Sequence, residues 1–309
     1  MLSIIIVNYN GLKFLLDCIA SIEKYADVPY EIIVVDNASC DGSIELLKER
    51  YPQVRLIESD CNRGFSGGNN MGGRAAIGDL FLLLNNDTKL LTSLKPAVKR
   101  FEEDKRIGAL GCRMYFNDCS FQDSMGFEHK PLRVVLTWTG LHRLTTSLLF
   151  REIDFDRARY EKVQSNVDWV SGAFLMTRKD LWNQLDGLDE NYFMYVEDAD
   201  YCKRVRDAGY RVVYTPEVEI IHLRGGGKVW GGETALLHQM ESYIIYTRKF
   251  YGAASTFSLR LILSFIMEMR ALAYWILSLF KGSTLLMEKR GAFLKAGLRL
   301  LTGGRNSSR

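Results

Sequence analysis

Short, nearly continuous runs of apolar residues, each ending in polar residues, recur along the N-terminal part of the chain. Uninterrupted runs of this length are typical of parallel strands that are covered on both faces. We therefore predict strands in SIIIVNYN (3–10), EIIVVDNAS (31–39), VRLIES (54–59) and DLFLLLNND (79–87).

The stretches between these runs have helical periodicity. Apolar residues recur at helical spacing from Leu12 to Ile22, and Ile44 and Leu47 follow a DGS helix start. Strands that alternate with helices at this spacing predict an α/β fold with a doubly wound, mainly parallel sheet and flanking helices. Because ligands bind at the carboxyl ends of the strands in such sheets, the polar residues that follow the strands should form one surface.

The later part of the chain is less periodic. Residues 117–165 mix aromatic with charged residues and are interpreted as a long insertion, whereas 167–182 predicts a strand and then a helix that begins near Arg178. We expect a first domain over 1–232, with one half over about 1–110 and a second over about 111–232. A C-terminal helical segment, 233–309, follows.

Composition and charge narrow the class of protein. With 47% hydrophobic and 25% charged residues the chain is typical of globular proteins. The net charge of +3 is uneven, because seven Lys or Arg and one Glu lie from Lys281 onward, which leaves +6 there and −3 before it. Six cysteines without C-x-x-C spacing argue against a disulfide framework and a zinc site. A reducing cytoplasm suits these cysteines, so we expect a cytoplasmic location. The N-terminus predicts a strand rather than a secretion signal.

Asp36 stands where the second predicted strand ends. Its carboxylate could accept a hydrogen bond from the ring N–H of a uracil or thymine base, or it could simply form an Asx-turn or a helix cap. Asp41, five residues on, is expected to be the N-cap of the next helix. Candidate donor-binding residues on this surface are Asn8, Asn10, Asp36, Asn37 and Ser39.

A glycine-rich segment, NRGFSGGNNMGG (62–73), follows the third strand. It matches neither the P-loop pattern nor G-x-G-x-x-G, which argues against a P-loop nucleotidase and a dinucleotide dehydrogenase. We interpret it as a loop whose backbone comes close to a ligand, with a plain flexible loop as the alternative. Its candidate donor-binding residues are Asn62, Arg63, Gly64, Gly67 and Asn69.

Asp87 ends a strand that is too apolar to be exposed. Mg²⁺ and Mn²⁺ prefer oxygen ligands and usually take only one or two protein carboxylates, with water and phosphate completing the shell. Asp87 is therefore a candidate metal ligand, and Asn86 before it a candidate donor contact. A strand-terminating turn of Asn and Asp is the alternative.

The segment YFMYVEDADYCKRVRDAGY (192–210) places three acids at the start of a predicted helix that Gly209 can end. A transfer reaction with a diphosphate leaving group needs a carboxylate that takes the proton of the attacking hydroxyl. Asp198 is our candidate for this base, with Glu197 beside it, while Asp200 is expected to be structural. The alternative is that these acids only cap the helix.

A histidine ends the last predicted strand of the domain, in VEIIHLRGGGKVWGG (218–232). His222 could complete the metal shell, or it could be an ordinary structural histidine. The glycines after it predict a loop that closes over the ligand, in which Arg224 and Lys228 would meet phosphate.

Taken together, these segments resemble the inverting family 2 glycosyltransferases with a GT-A fold, in their rhamnosyltransferase-like branch. The resemblance runs over about 2–228 and rests on SIIIVNYNG, VVDNASCDGS, NRGFSGGNN, LLLNNDT, WVSGAFLMTRKDLW, GLDENYFMYVEDADYCKRVRDAGY and IIHLRGG. It implies that Asp36 binds the base of a nucleotide-sugar, that Asp87 and His222 hold the metal, and that Asp198 is the base. The chain departs from the family pattern in having NND for D-x-D and Asp186 where a second glycine is common.

The C-terminal segment predicts two helices, over 233–252 and 255–280. The second is long enough to span a bilayer, but Glu268 and Arg270 near its middle would each cost roughly 2.5–3.5 kcal/mol on insertion. An amphipathic helix in the interface, assisted by the basic tail, suits both features. Packing on the catalytic domain or on a second subunit is the alternative.

The sequence therefore predicts a glycosyltransferase that uses Mg²⁺ or Mn²⁺ and a dTDP- or UDP-sugar. We expect it to act on a saccharide or lipid-linked saccharide of the cell envelope, peripheral on the cytoplasmic face of the inner membrane, without a nucleic-acid partner. A catalytically silent nucleotide-sugar-binding or glycan-binding module and a sugar nucleotidyltransferase are the rivals. The latter lacks support, because NYNGLKF offers only one glycine after the first strand.

Overall fold

The structure is a computed structural model that describes residues 1–144, 147, 150–223, 232–281 and 283–303. Arg224 and Lys228, two of the candidate donor-binding residues, lie outside the described residues. The strands are β1 (Leu2–Asn8), β2 (Tyr30–Asp36), β3 (Arg55–Glu58), β4 (Leu80–Asn85), β5 (Thr88–Leu90), β6 (Ile107–Tyr115), β7 (Phe121–Gln122), β8 (Met125–Gly126), β9 (Trp169–Val170), β10 (Phe174–Arg178) and β11 (Arg211–His222).

The helices lie between and after these strands, as the alternating pattern predicted. They are α1 (Leu15–Tyr25), α2 (Ser43–Arg50), α3 (Gly64–Ala75), α4 (Lys95–Glu103), α5 (Pro131–Thr139), α6 (Arg157–Tyr160), α7 (Lys179–Gln184), α8 (Glu197–Asp207), α9 (Gly232–Lys281) and α10 (Thr284–Thr302). The insertion also contains a short 3₁₀ helix, Leu141–Leu144.

The main sheet is mixed. Within the described chain its strand order is β3-β2-β1-β4-β10-β6-β11-β5, with β7 paired to β6. The β3, β2, β1 and β4 strands are mutually parallel, as are β6 and β11, whereas β10 and β5 run antiparallel to their neighbours. The carboxyl ends of β1, β2 and β4 therefore meet at one edge of the sheet, which is where the predicted surface lies.

The central strands are buried on both faces, which explains their continuous apolar sequences. On one face Ile4 and Ile6 of β1 belong to a cluster that includes Leu15 and Ile19 of α1. On the other face Ile5 belongs to a cluster that includes Trp182 of α7 and Tyr201 of α8. A half-exposed strand would alternate apolar and polar residues instead.

The glycine-rich segment is not the loop that the sequence predicted, because most of it forms α3. The helix packs closely on β1 at Gly68 and Gly72. A Cβ on Gly68 would lie 2.7 Å from Val7 Cγ1, and one on Gly72 would overlap Ile5 Cγ2. The glycines thus allow close packing of helix on strand, and the glycines of α3 are buried.

Two further residues differ from the sequence interpretation. The N-cap of α2 is Gly42 rather than Asp41, whose carboxylate instead accepts hydrogen bonds from Ser43 N (3.1 Å) and Leu12 N (2.8 Å). Asp186 lies after α7 with a φ of 57°, a left-handed conformation that favours glycine and that Asp tolerates better than most residues. This conformation accounts for the glycine that the family pattern commonly has at Asp186.

The chain divides into two compact units. The first contains Met1–Glu128, Ile153–Phe193 and the stretch from Glu197 through β11, and it holds the main sheet. The second contains His129–Glu152, Met194–Val196 and the C-terminal helices α9 and α10.

The second unit is built mainly of helices. α9 is broken at Gly252, whose φ of 78° and ψ of −178° fall in a region that essentially only glycine occupies. Arg270 of α9 donates to the carbonyl oxygen of Trp138 at the end of α5 (3.0 and 2.6 Å). By length and composition, α9 is the one helix of the described residues that could cross a membrane, and 28% of its most apolar window is buried.

Candidate active site

Hydrogen bonds join the ends of β1, β2 and β4. Asn8 at the end of β1 lies in register with Asp36 at the end of β2, and its Nδ2 is 3.3 Å from Asp36 Oδ1. Asn86, one residue beyond β4, donates from Nδ2 to Asn8 Oδ1 at 2.9 Å. A continuous line of side chains therefore runs from Asp36 to the residue next to Asp87.

The turn after β2 is held tightly by Asp36. Its Oδ2 accepts from Ser39 N (3.0 Å) and its Oδ1 from Ser39 Oγ (2.5 Å), so the Asx-turn is present. Asn10 is hydrogen-bonded to the same turn. Its backbone N–H donates to Ser39 Oγ (2.9 Å), and its side-chain Oδ1 accepts from Cys40 N (2.9 Å). The structure thus brings Asn8, Asn10, Asp36 and Ser39 together.

Asn37 connects this turn to the start of α3. Its Nδ2 donates to Gly64 O (2.9 Å), while its Oδ1 is buried and has no hydrogen-bond partner within the described chain. Asn62 accepts from Gly64 N through Oδ1 (2.9 Å). The first turn of α3 therefore lies beside the strand-end residues.

Three other residues predicted to bind donor make contacts elsewhere. The guanidinium of Arg63 is exposed and pairs with Asp60 (2.7 Å). Asn69 donates to Phe65 O inside α3 (2.9 Å), and a Cβ on Gly67 would meet Arg63 Cβ at 2.7 Å. None of these contacts joins them to the line of side chains that runs from Asp36 through Asn8 to Asn86.

The two predicted metal ligands face each other. His222 ends β11, where it pairs with Thr88 of β5, and its Nε2 lies 3.4 Å from Asp87 Oδ1. Both side chains are largely buried, with exposed fractions of 13% and 12%. Asn85 Nδ2 is also 3.4 Å from His222 Nε2.

Gln122 of β7 is a residue that sequence reasoning missed. It is almost fully buried, and its Oε1 lies 3.2 Å from His222 Nδ1. An amide oxygen only accepts hydrogen bonds, so Oε1 can accept from an Nδ1–H of His222, and Nε2 is the ring nitrogen nearer Asp87. No signal in the sequence pointed to Gln122, because its two-residue strand has no periodicity.

An imidazole nitrogen and a carboxylate that face each other at 3.4 Å suit a cation bound to both. One carboxylate and one imidazole are enough for Mg²⁺ or Mn²⁺ when water and phosphate oxygens supply the other positions. In the described part of the chain no group of three or more His, Cys, Asp or Glu side chains gathers, so a site built only from protein ligands is not formed there. Asp87 and His222 therefore fit a divalent cation whose remaining positions are filled by other ligands.

Asp198 is attached to the same sheet edge. Its Oδ2 accepts from Gly172 N (2.9 Å), in the turn between β9 and β10, and its Oδ1 accepts from Ala199 N (2.8 Å). The next residue of that turn, Ala173, accepts through its carbonyl oxygen from Asn85 N (3.1 Å). Gly172 is thus a second residue that sequence reasoning missed, and it links Asp198 to the end of β4.

Glu197 begins α8 and is buried. Burial raises its pKa well above the ordinary value of 4.5, and the charges of Asp198 and Asp200 raise it further. Its Oε2 has no hydrogen-bond partner within the described chain. Asp200, by contrast, forms a buried ion pair with Arg204 (2.7 Å), which agrees with a structural role.

The backbone that leads into α8 is strained. Tyr195 and Val196 have φ values of 71° and 67°, and a β-branched residue such as Val rarely adopts this conformation. Strain of this kind costs on the order of 1–3 kcal/mol per residue and clusters at functional sites. It lies directly before Glu197 and Asp198 in the chain.

The resemblance implied roles for Asp36, for Asp87 with His222, and for Asp198. The structure has Asp36 buried at the end of β2, Asp87 beside His222, and Asp198 in the first turn of α8. The family model for glycosyl transferase family 2 matches residues 3–185, more than half of the chain. The chain belongs to this family. Transfer of a glycosyl group is therefore its activity, and the interpretation as a sugar nucleotidyltransferase is wrong.

Curated relatives and solved structures agree with this assignment. The chain is 29% identical over 240 residues to the N-acetylglucosaminyl-diphospho-decaprenol L-rhamnosyltransferase of Mycobacterium tuberculosis, covering 72% of this chain and 76% of that protein. It is 28% identical over 236 residues to rhamnosyltransferase WbbL of Escherichia coli strain K12, covering 72% and 83%. This glycosyltransferase thus has rhamnosyltransferase homologues.

The fold agrees as well. The mannosyltransferase PcManGT of Pyrobaculum calidifontis, solved in complex with GDP-Man and Mn²⁺, superposes with a TM-score of 0.60 at 16% identity. The superposition covers 98% of this chain and 88% of that one. The predicted GT-A fold, with its mixed sheet, flanking helices and C-terminal helical segment, is confirmed.

Proposed function

We propose that this glycosyltransferase moves rhamnose from a dTDP- or UDP-sugar to a hydroxyl of a lipid-linked or cell-envelope saccharide, with inversion at the anomeric carbon. The observation that carries the proposal is the line of contacts from Asp36 through Asn8 and Asn86 to the end of β4, where the turn that holds Asp198 is attached. The names of the relatives from Mycobacterium tuberculosis and Escherichia coli support rhamnose and, for the first, a lipid diphosphate acceptor.

In this scheme the strand-end residues hold the nucleotide. The carboxylate of Asp36 accepts from the ring N–H of the base, while Asn10, Asn37 and Ser39 shape the turn around it. Asn62, Gly64 and Asn86 complete the donor contacts. We assign the donor-binding half to about 1–110 and the acceptor half to about 111–232 of the catalytic domain, with the helical segment after it.

Asp87 and His222 would hold a divalent cation together with the diphosphate. When bound, Mg²⁺ or Mn²⁺ neutralises the charge that develops on the leaving diphosphate. The fit rests on the opposed Asp87 carboxylate and His222 Nε2, 3.4 Å apart. Gln122 positions the imidazole for this task.

Asp198 acts as the general base. As the acceptor oxygen bonds to the anomeric carbon and the bond from that carbon to the diphosphate oxygen breaks, the hydroxyl proton passes to Asp198. Two backbone N–H groups fix the orientation of its carboxylate. Burial and the charge of Asp198 raise the pKa of the neighbouring Glu197, so Glu197 holds a proton more tightly than an exposed glutamate does.

We place the reaction at the cytoplasmic face of a membrane, with the protein bound peripherally. A lipid-linked acceptor is confined to the bilayer, and the chain carries a +6 charge from Lys281 onward that attracts anionic lipid. The apolar character of α9 supports the same placement.

A donor screen tests the proposed activity. Purified protein is incubated with dTDP- and UDP-sugars, Mg²⁺ or Mn²⁺ and a lipid-diphosphate-linked saccharide, and release of the nucleoside diphosphate is followed. We expect turnover with a rhamnose donor and loss of turnover after EDTA treatment. Full turnover by EDTA-treated protein would remove the metal from the scheme, and turnover only with another sugar would overturn the donor assignment.

A further inference from the structure

Beyond its break at Gly252, α9 is apolar on two sides. One side, with Leu263 and Met267, is buried within the second unit. The opposite side is exposed, and between Phe257 and Phe280 its exposed residues include only two polar ones, Ser258 and Glu268. Representative exposed positions recur at helical spacing and are Phe257, Leu261, Phe265, Leu272, Ile276 and Leu279.

α10 carries a matching stripe. Four of its exposed apolar side chains, Met287, Leu294, Leu298 and Leu301, follow one another at steps of seven, four and three residues, which places them on one side of the helix. Leu285, which is also exposed, lies on another side. A helix of a soluble domain normally exposes polar residues on such a side.

The two stripes lie on the same side of the helix pair. The helices pack antiparallel, because Ser264 Oγ donates to Gly297 O (2.9 Å) while the ring of Tyr274, ten residues further on, stacks on Phe293 (5.5 Å). At about 100° per residue, each stripe is turned in the same sense from the side on which its helix packs. In an antiparallel pair, equal senses of rotation bring both stripes to one surface.

We infer that this surface, formed by the exposed stripes of α9 and α10, docks onto an anionic bilayer with both helices lying in the plane of the interface. The inference deepens the proposed function and rests on it, since a lipid-linked acceptor must be reached at a membrane. It names the surface that does so and excludes α9 as a spanning helix.

Charge decides between a bilayer and a second copy of this chain. From Lys281 onward the chain has seven Lys or Arg and one Glu. Lys295 and Arg299 pair with Glu233 and Glu241 of α9, and the other cations leave a positive excess. Two copies would therefore bring like charges together, whereas anionic lipid supplies the opposite charge. Glu268 on the exposed side of α9 opposes burial of the helix in the hydrocarbon core. Exposed Trp275 and Phe280 suit the interface.

Vesicle flotation of the full chain tests the inference. We expect binding to vesicles of phosphatidylcholine with phosphatidylglycerol, weaker binding to phosphatidylcholine alone, and loss of the difference at high salt. Phe265→Ser should lower partitioning about tenfold, because one exposed aromatic side chain is removed from the docking surface. The matched control is Ile77→Ser, since Ile77 of the first unit is 64% exposed and Phe265 63%.

Three other outcomes would overturn the inference. A concentration-dependent dimer in solution that Phe265→Ser dissociates would show that a second copy covers the surface, and release from membranes only by detergent would show a spanning helix. Equal partitioning of the Phe265→Ser and Ile77→Ser variants would show that the exposed stripe of α9 does not bind the bilayer. Asp198→Asn should bind vesicles as the wild type does, so failure of docking and failure of the proposed chemistry can be told apart.

Discussion

The Oε1 atom of Gln122 lies 3.2 Å from Nδ1 of His222, and this contact fixes the ring nitrogen that faces Asp87. Gln122 is an amide residue on the two-residue strand β7, and His222 is a proposed ligand of the metal. Partners of this kind orient metal-binding imidazoles and typically change metal affinity 10- to 100-fold when removed.

Gln122→Leu is therefore expected to weaken Mn²⁺ binding by about 10- to 100-fold. The leucine keeps the side chain's size but leaves His222 Nδ1 without its acceptor, so the imidazole is no longer held with Nε2 toward Asp87. Electron paramagnetic resonance of free Mn²⁺ during titration measures the affinity without any turnover.

Gln53→Leu is the matched control for this titration, because Gln53 lies at the surface and its amide bonds to Glu23 (3.2 Å). Equal Mn²⁺ affinity of the Gln122→Leu and Gln53→Leu proteins would contradict the positioning role of Gln122.

Glu197→Gln should make thermal stability less dependent on pH. The pKa of Glu197 is raised by burial, so the folded state holds the proton more tightly than the unfolded chain does. The free energy of unfolding therefore falls as pH rises from the ordinary pKa of 4.5 through the folded pKa. Glutamine cannot ionise and loses nothing in that window.

Melting temperatures of wild type, Glu197→Gln and the exposed control Glu49→Gln are compared between about pH 5 and pH 9. We expect the wild type and the control to lose stability toward high pH more steeply than Glu197→Gln. Parallel curves for all three proteins would show that the carboxyl of Glu197 titrates normally.

Gly72→Ala is expected to destabilise the first unit by about 1–3 kcal/mol, because the added Cβ overlaps Ile5 where α3 packs on β1. Gly291→Ala in α10 is the control, since nothing lies within 4 Å of its Cβ position, and it should stabilise by about 0.5–1 kcal/mol. Urea unfolding of both variants measures the difference. A Gly72→Ala protein as stable as the wild type would argue against close packing of α3.

Asp36→Asn should weaken binding of the donor nucleotide about tenfold or more, since a hydrogen bond to a charged acceptor is worth about 1.5–3 kcal/mol. Isothermal titration with dTDP and UDP measures this. Asp41→Asn, a change of charge in the same turn, should bind as the wild type does. If both variants bind equally, Asp36 serves only its Asx-turn.

The parts of the site that local pattern controls were predictable from the sequence. Apolar strands that end in Asn8, Asp36 and Asn85 meet at one edge because parallel strands share a direction. Glu197 begins α8, where the three acids of 192–210 predicted a helix start. These features follow from periodicity alone.

The parts set by tertiary packing were not predictable. The glycines of α3 suggested a loop because glycine is a poor helix former, yet contact with β1 outweighs that propensity. Gln122 and Gly172 act through a two-residue strand and a turn, and only the folded chain brings them to His222 and Asp198.

The rate of sugar transfer by Asp198→Asn tests the central claim most directly, namely that Asp198 is the base of a transfer site at the strand ends. Nucleoside diphosphate release is measured at saturating donor and acceptor, with donor affinity determined separately. Asp207→Asn is the control, since Asp207 lies at the other end of α8 and pairs with Lys203 (3.0 Å). We predict a kcat lower by roughly 10²–10⁴ for Asp198→Asn with unchanged donor affinity; a kcat equal to that of the Asp207→Asn control would contradict it.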